Sequence, residues 1–371
     1  MAIRHLRIAG YRSLRDLALT LAPLTVVLGA NGTGKSNLYG ALRLVAHAAR
    51  GELARALSAE GGMPSILWAG GERKRTTRAK PPLRAVFEVQ LDDFGYALEL
   101  GLPIPSQTLF QRDPEVKEEA VWAGSRRRPS AMLLTRRAQA AELVDEADQH
   151  ISYPPGLLAG ESVLAQVVDP RRFPELAHVR NVLSRWRFYH HFRTDAAAPA
   201  RQPQVGVRTP VLGDGGDDLA AALQTIVEIG DADALAVALA DAFPGACLRV
   251  LEQRGWFELE LDLPGLMRPL GVRELSDGTL RYLCLLAALG SPRPPAFLVL
   301  NEPETSLHPD LLAPLAKRII AAALHSQVLC TTHSAQLAEL LLAAPEAALS
   351  ELRLEEGETH IAGPRAQEPK R

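Results

Sequence analysis

Gly29-Ala30-Asn31-Gly32-Thr33-Gly34-Lys35-Ser36 fills every fixed position of the G-x-x-x-x-G-K-S/T phosphate loop. Such a loop is trusted only between a buried strand and a helix, and both flanks are legible. Leu24-Thr25-Val26-Val27-Leu28 is a short run rich in β-branched residues, the type that fills a core strand. Beyond the loop, Leu38, Ala41, Leu42 and Val45 recur at helical spacing and form one apolar face of a helix that starts there. The unpaired N–H groups of its first turn and the positive end of its dipole then face phosphate oxygens. The glycines let the backbone come close, Lys35 brings a point charge to the terminal phosphates, and the Ser36 hydroxyl is placed to ligate magnesium. The stretch predicts binding of a nucleoside triphosphate; the alternative, a chance glycine-rich turn, needs no such flanks.

The chain has 371 residues, of which 47% are hydrophobic and 23% charged, enough for a sizeable core in one large domain or two lobes. Lys and Arg number 41 against 43 Asp and Glu, a net charge of -2, so no whole-molecule field for nucleic acid is indicated. Cys247, Cys284 and Cys330 are widely spaced in apolar surroundings without a C-x-x-C pair. They predict buried thiols in a reducing compartment, with neither disulfide nor zinc site. Met1 to Gly10 has no signal-peptide core, and no run reaches the roughly 18 apolar residues of a membrane span. The expectation is a cytoplasmic protein with no membrane partner.

Taken in order, Ile3 to Leu21 alternates as a hairpin leading into the phosphate-loop strand, and Arg84 to Leu102 alternates as a second hairpin turned at Asp92-Asp93-Phe94-Gly95. Between them, turns at Gly61-Gly62 and Gly70-Gly71 precede the basic tract Arg73 to Lys80, which reads as a solvated loop because no aromatics are interleaved. From about Pro103 to Arg180 the chain is polar and weakly periodic, an insertion that is partly helical and sustains no heptad. Trp186-Arg187-Phe188-Tyr189 is strand-like, Leu219 to Ala242 helical, and Leu248–Leu251 with Phe257–Leu261 a strand pair. His190-His191 has no third ligand at zinc spacing and reads as structural or exposed.

The second half of the site begins at Glu274-Leu275-Ser276-Asp277-Gly278-Thr279, which opens an apolar helix. Ala296-Phe297-Leu298-Val299-Leu300 then reads as a buried strand ending in Asn301-Glu302-Pro303-Glu304, and Val328 to Thr332 as another that delivers His333.

With these residues in view the chain resembles the ATP-binding-cassette-type ATPases of the RecF, chromosome-maintenance (SMC) and OLD-nuclease kind, and within them the stand-alone AAA-type bacterial ATPases. The resemblance rests on the phosphate loop, on Leu275-Ser276-Asp277-Gly278-Thr279 in the place of the cassette signature, on Leu300 to Pro309 over the second acidic motif, and on Thr332-His333-Ser334 at the switch histidine. It implies an α/β fold: an ABC-type P-loop NTPase head with a mixed β-sheet, an N-terminal antiparallel part and a partly helical insertion. The implied division is 1–102 for the N-terminal half of the ATPase core, 103–245 for the insertion and helical lobe, 246–362 for the C-terminal half, and 363–371 for a polar tail.

The same resemblance implies ATP and Mg2+ as cofactors and an ATP-dependent head-to-head homodimer. Each nucleotide would lie on Gly29 to Ser36 and Asn37 of one subunit and on Ser276 and Gly278 of the other. Glu302 would polarise the attacking water and His333 would contact the γ-phosphate. The structural alternatives are a helix-capping carboxylate for Glu302 and a core histidine for His333. Ser36, Asn301 and Gln166 are the implied magnesium residues. Asn301 stands where the family has aspartate and offers a carbonyl oxygen without charge, and Gln166 is the candidate for the magnesium-sensing glutamine, against a surface glutamine. DNA and a separate effector protein are candidate partners. Asn301 leaves a slow or non-hydrolysing nucleotide switch open beside an active ATPase.

Overall fold

The computed structural model describes residues 1–70, 83–105, 107–153 and 156–362. The basic tract Arg73 to Lys80 and the polar tail from Gly363 to Arg371 lie outside the described residues. The chain forms two compact units, one of Met1–Ala22, Gly29–Trp186 and Ser350–Arg371, the other of Pro23–Leu28 and Arg187–Leu349.

The first unit is built on an eight-stranded antiparallel sheet in the order Leu14–Thr20, Ile3–Tyr11, Arg84–Leu91, Phe94–Gly101, Glu115–Ala123, Met132–Arg137, Ala140–Val144, His150–Tyr153. Both expected hairpins are present. Strict alternation sends Ala85, Phe87, Val89 and Leu91 into the core, as a half-buried strand requires. The sheet does not stop at residue 102: Gly101 pairs with Glu115, and three further strands follow to Tyr153. The polarity that made this stretch read as an insertion is partly internal. Glu119 and Arg136 are 1% and 0% exposed. Glu119 accepts hydrogen bonds from Tyr96 (3.0 Å), the Val163 amide (2.8 Å) and Ser162, while Arg136 donates to the carbonyls of Ala138 and Leu158, 2.6 and 3.0 Å away. Burial pushes the Glu119 carboxyl up and the Arg136 guanidinium down from their usual ranges. A saturated polar network of this kind can sit in a core without an apolar signature.

The second unit carries a parallel sheet in the order Arg187–Tyr189, Phe297–Asn301, Gln327–Thr332, Leu24–Leu28. Every residue of the two central strands is buried, the pattern of parallel strands covered on both faces. Helices Leu219–Ile229, Ala232–Ala242, Asp277–Leu289 and Leu312–Ala323 contribute the apolar residues packed into this core. The helix expected over Leu219 to Ala242 is two helices, because the chain breaks at Gly230 and Asp231 caps the second, its Oδ1 accepting from the Ala234 amide at 2.8 Å. The strand pair is found as Cys247–Gln253 and Trp256–Asp262. Cys284 and Cys330 are buried as expected; Cys247, at a strand start, is exposed instead. Among the described residues no helix is long and apolar enough to cross a membrane.

Candidate nucleotide and catalytic site

In the first unit the phosphate loop leads into the helix Lys35–Arg50. Gly34, its N-cap, has φ +104°, and no side chain caps the first turn, so the amides there are left for an anion. A Cβ on Gly34 would stand 2.2 Å from Thr359 Oγ1, whereas a Cβ on Gly32, at φ +81°, would meet nothing within 4 Å. The first glycine therefore lets Thr359, on the strand Glu358–Ile361, press on the loop, and the second leaves its outer side open. Lys35 is folded back on the loop, donating to the carbonyls of Gly29 (2.7 Å) and Ala30 (2.9 Å). Thr33 closes the turn by donating to Ala30 O at 2.8 Å. Beneath it, Thr359 donates to Thr33 O (2.9 Å) and shares a hydrogen bond with Ser13 (2.7 Å), which also accepts from Asn37 Nδ2 (2.7 Å). Asn37 thus braces the loop through Ser13, two partners that local sequence patterns do not reveal. Ser36 and Asn31 are exposed.

In the second unit the acidic motif lies at the carboxyl ends of the parallel strands. Asn301 is 1% exposed and uses both ends of its amide: Oδ1 accepts from Thr331 Oγ1 at 2.6 Å, and Nδ2 donates to His190 Nδ1 at 2.8 Å. An aspartate could accept from Thr331 but could not donate to His190. Glu302 follows with φ +49°, a left-handed conformation that non-glycine residues adopt rarely and that costs of order 1–3 kcal/mol. Its amide donates to Thr331 O (2.9 Å), and its carbonyl accepts from Thr305 N (3.2 Å). Glu304, 7% exposed, accepts from Thr332 Oγ1 (2.5 Å) and the His333 amide (3.0 Å). Its Oε2 is buried without a hydrogen-bond partner. The His333 ring lies with Nδ1 at 3.3 Å from Glu304 and 3.8 Å from Glu302. The structure therefore brings Asn301, Glu302 and His333 together, with Glu304 of the same acidic motif and with Thr331 and His190, to which the sequence reading assigns no role at the site.

Ser276 caps the helix Asp277–Leu289, its Oγ accepting from the Thr279 amide at 3.1 Å, and it is exposed at the helix start. The turn before it is held by buried Arg201, which donates to Leu275 O and to Asp277 Oδ1, each at 2.7 Å. Gly278 packs on the loop after Glu302, where a Cβ would come 2.8 Å from Ser306 O. His308 is exposed and caps a short turn through its own Nδ1, which suits a loop residue rather than a metal ligand.

Gln166 is a correction. Ala165 lies against Gly51, with 3.4 Å between its Cβ and an ideal Cβ on the glycine, at the far end of the 16-residue helix that begins with Lys35. At about 1.5 Å per residue that helix is roughly 24 Å long, so Gln166 is far from Ser36. Its amide is also engaged, Oε1 accepting from Leu158 N (2.7 Å) and Nε2 donating to Glu161 O (3.0 Å). It holds the 158–162 loop and reaches no metal at the phosphate loop.

The residues fit a nucleotide: an uncapped helix start, an open glycine and a lysine cation within the loop are what phosphate oxygens require. For magnesium each unit, taken by itself, offers one neutral oxygen donor. The Ser36 hydroxyl is exposed, and the Asn301 carbonyl keeps one lone pair after bonding Thr331. The described residues contain no group of three His, Cys, Asp or Glu side chains suited to a metal. The donors are neutral oxygens, which suit a hard cation whose charge the phosphates balance.

A glycine-rich loop opening a helix in the first unit, and a parallel sheet delivering Asn301, Glu302 and His333 from adjacent strands in the second, are the parts of a P-loop NTPase fold. The chain belongs to the family described as "AAA domain, putative AbiEii toxin, Type IV TA system", whose profile matches residues 24–339. Comparison with characterised proteins finds no match. Among solved structures, the fold is similar to an SMC head bound to the C-winged helix domain of ScpA, at 14% identity and TM-score 0.53, covering 98% of each chain. It is similar also to the SMC head domain from Thermotoga maritima, at 15% identity and TM-score 0.51, covering 99% of this chain and 100% of that one.

Proposed function

We propose that this protein is an ATP hydrolase that closes as a head-to-head homodimer around two nucleotides and uses that closure as a switch, in a DNA-transaction or phage-defence setting. The observation that carries the reading is Glu302, held in a left-handed backbone conformation beside His333 at the end of a buried strand. Strain of that kind persists where surrounding contacts enforce it, and it clusters at functional sites. In the proposed reaction the amides of the first helical turn and Lys35 bind and orient the phosphates, and Glu302 accepts a proton from the attacking water. His333, fixed through Glu304, donates a hydrogen bond to the terminal phosphate. Magnesium, when bound through Ser36 and Asn301, supplies charge neutralisation on the phosphates. The exposed Ser276 cap and its helix N-terminus suit a second anion contact, made with the nucleotide of the partner subunit.

A second reading is favoured by Asn301 specifically. Its amide is committed to His190 and brings no charge to the metal, so turnover can be slow, with the ATP-bound dimer read by a separate effector protein. The discriminating experiment is steady-state ATP turnover with magnesium, together with size in solution with and without Mg·ATP. Turnover with ATP-dependent dimerisation supports the first reading; dimerisation without turnover supports the second; neither one removes both. The reading places the protein in the cytoplasm, without a membrane partner.

A further inference from the structure

Arg281 lies on the helix that Ser276 caps and is 4% exposed, yet among the described residues it has no carboxylate within ion-pair distance. Its Nη2 is shared between two backbone carbonyls, His190 O at 2.9 Å and Glu302 O at 3.2 Å, and its Nε is buried without a partner. Burial pushes its pKa down, opposed by Cys284, Glu304 and Glu302 in that order. A cation desolvated this far for so few hydrogen bonds is a poor stabilising device, since replacing buried charge by a well-packed apolar side chain is often neutral or favourable. Its position has another use. The two carbonyls belong to the turns that follow the strands Arg187–Tyr189 and Phe297–Asn301, and the second is the carbonyl of the strained residue.

Gly278, three residues earlier and so on the same helix face, packs on the same loop through Ser306 O. Ser306 is itself left-handed at φ +65°. The helix thus grips the 302–306 loop at both ends of its strained stretch, while the strand Gln327–Thr332 holds Glu302 from the amide side. We propose that Arg281 is a positioning residue: it fixes the backbone of Glu302 from the helix that begins at Ser276, and so ties the orientation of the general base to whatever anion that helix start holds. The inference rests on the hydrolase reading and deepens it. It assigns to one arginine the physical link between the signature and the water-activating carboxylate of the same subunit.

The test is Arg281→Met, which keeps an unbranched apolar stem and removes charge and donors. Two quantities are read on the full chain: kcat and KM for ATP, and hydrogen–deuterium exchange of the nucleotide-free protein over the 302–307 segment, where the Thr305 and Leu307 amides bond to Glu302 O and Glu304 O. Expected are a kcat lower by roughly 10- to 100-fold, the scale for misplacing a catalytic group by about an ångström, and an unchanged KM and Tm. Exchange at Thr305 should rise several-fold while the rest of the chain keeps its protection. Unchanged kcat and exchange would overturn the proposal. So would a fall in kcat matched by a fall in Tm and a general rise in exchange, which would make Arg281 a structural residue. A wild-type protein without turnover would overturn the hydrolase reading instead, and the local exchange at Thr305 would still decide whether Arg281 holds Glu302.

Discussion

Asn301→Asp restores the charge that the wider resemblance leads one to expect, and the structure sets what it costs. The wild-type amide makes two neutral hydrogen bonds, to Thr331 and His190, each contributing about 0.5–1.5 kcal/mol. A carboxylate strengthens the first, to about 1.5–3 kcal/mol, and turns the second into two acceptors facing each other until the His190 ring moves its proton to Nδ1. Neutral imidazole makes that exchange at little cost. Burying a carboxylate at a position 1% exposed costs several kcal/mol, only part of which these two bonds offset. The nucleotide-free variant should therefore lose about 1–3 kcal/mol and melt a few degrees lower. With Mg·ATP most of that loss is offset, because the charge gained at the metal is of the kind that changes affinity by about 10- to 100-fold, or roughly 1.4–2.8 kcal/mol. The assay is a magnesium titration read twice, as ATP turnover and as binding of a fluorescent ATP analogue, with melting curves in both states. Lower magnesium demand, faster turnover and a lower nucleotide-free Tm are expected. The same magnesium demand and the same Tm would refute the reasoning, and would mean that Asn301 neither faces the metal nor depends on His190.

Lys35→Ala removes the cation that the loop carbonyls now hold, and should abolish ATP binding measured by equilibrium dialysis; retained micromolar affinity would remove the phosphate-loop assignment. Glu302→Gln preserves shape and backbone while losing the proton acceptor. It should bind ATP normally, fall by about 100-fold or more in turnover, and accumulate as an ATP-bound dimer in light scattering. Unchanged turnover would leave Glu302 a structural carboxylate. Ser276→Arg places bulk and charge on an exposed helix start, so the monomer should still bind ATP but no longer dimerise with it, and dimers in size-exclusion chromatography would point to another interface.

What the sequence determined by itself is what neighbouring residues determine. The phosphate loop, the strand before it and the helix after it are set within some 20 residues by glycine geometry and by apolar spacing. The buried strands ending at Asn301 and Thr332 are equally local, because a parallel strand covered on both faces must be apolar throughout. The antiparallel hairpins declared themselves by alternation up to Gly101. Beyond that point the alternation is masked by Glu119 and Arg136, whose charges are satisfied by partners up to 44 residues away, so the sheet's continuation to Tyr153 was hidden.

Tertiary structure decided the rest. Asn301 meets His190 across 111 residues, through two parallel strands whose register puts Tyr189 opposite Leu300. Gln166 could be placed far from Ser36 only once a helix of known length lay between them. The φ of Glu302, and the arginine that holds its carbonyl, follow from a helix and a strand end that the chain brings together by folding. Local sequence specifies which residues can do the chemistry; which of them are held in position to do it depends on packing between segments that no local pattern connects.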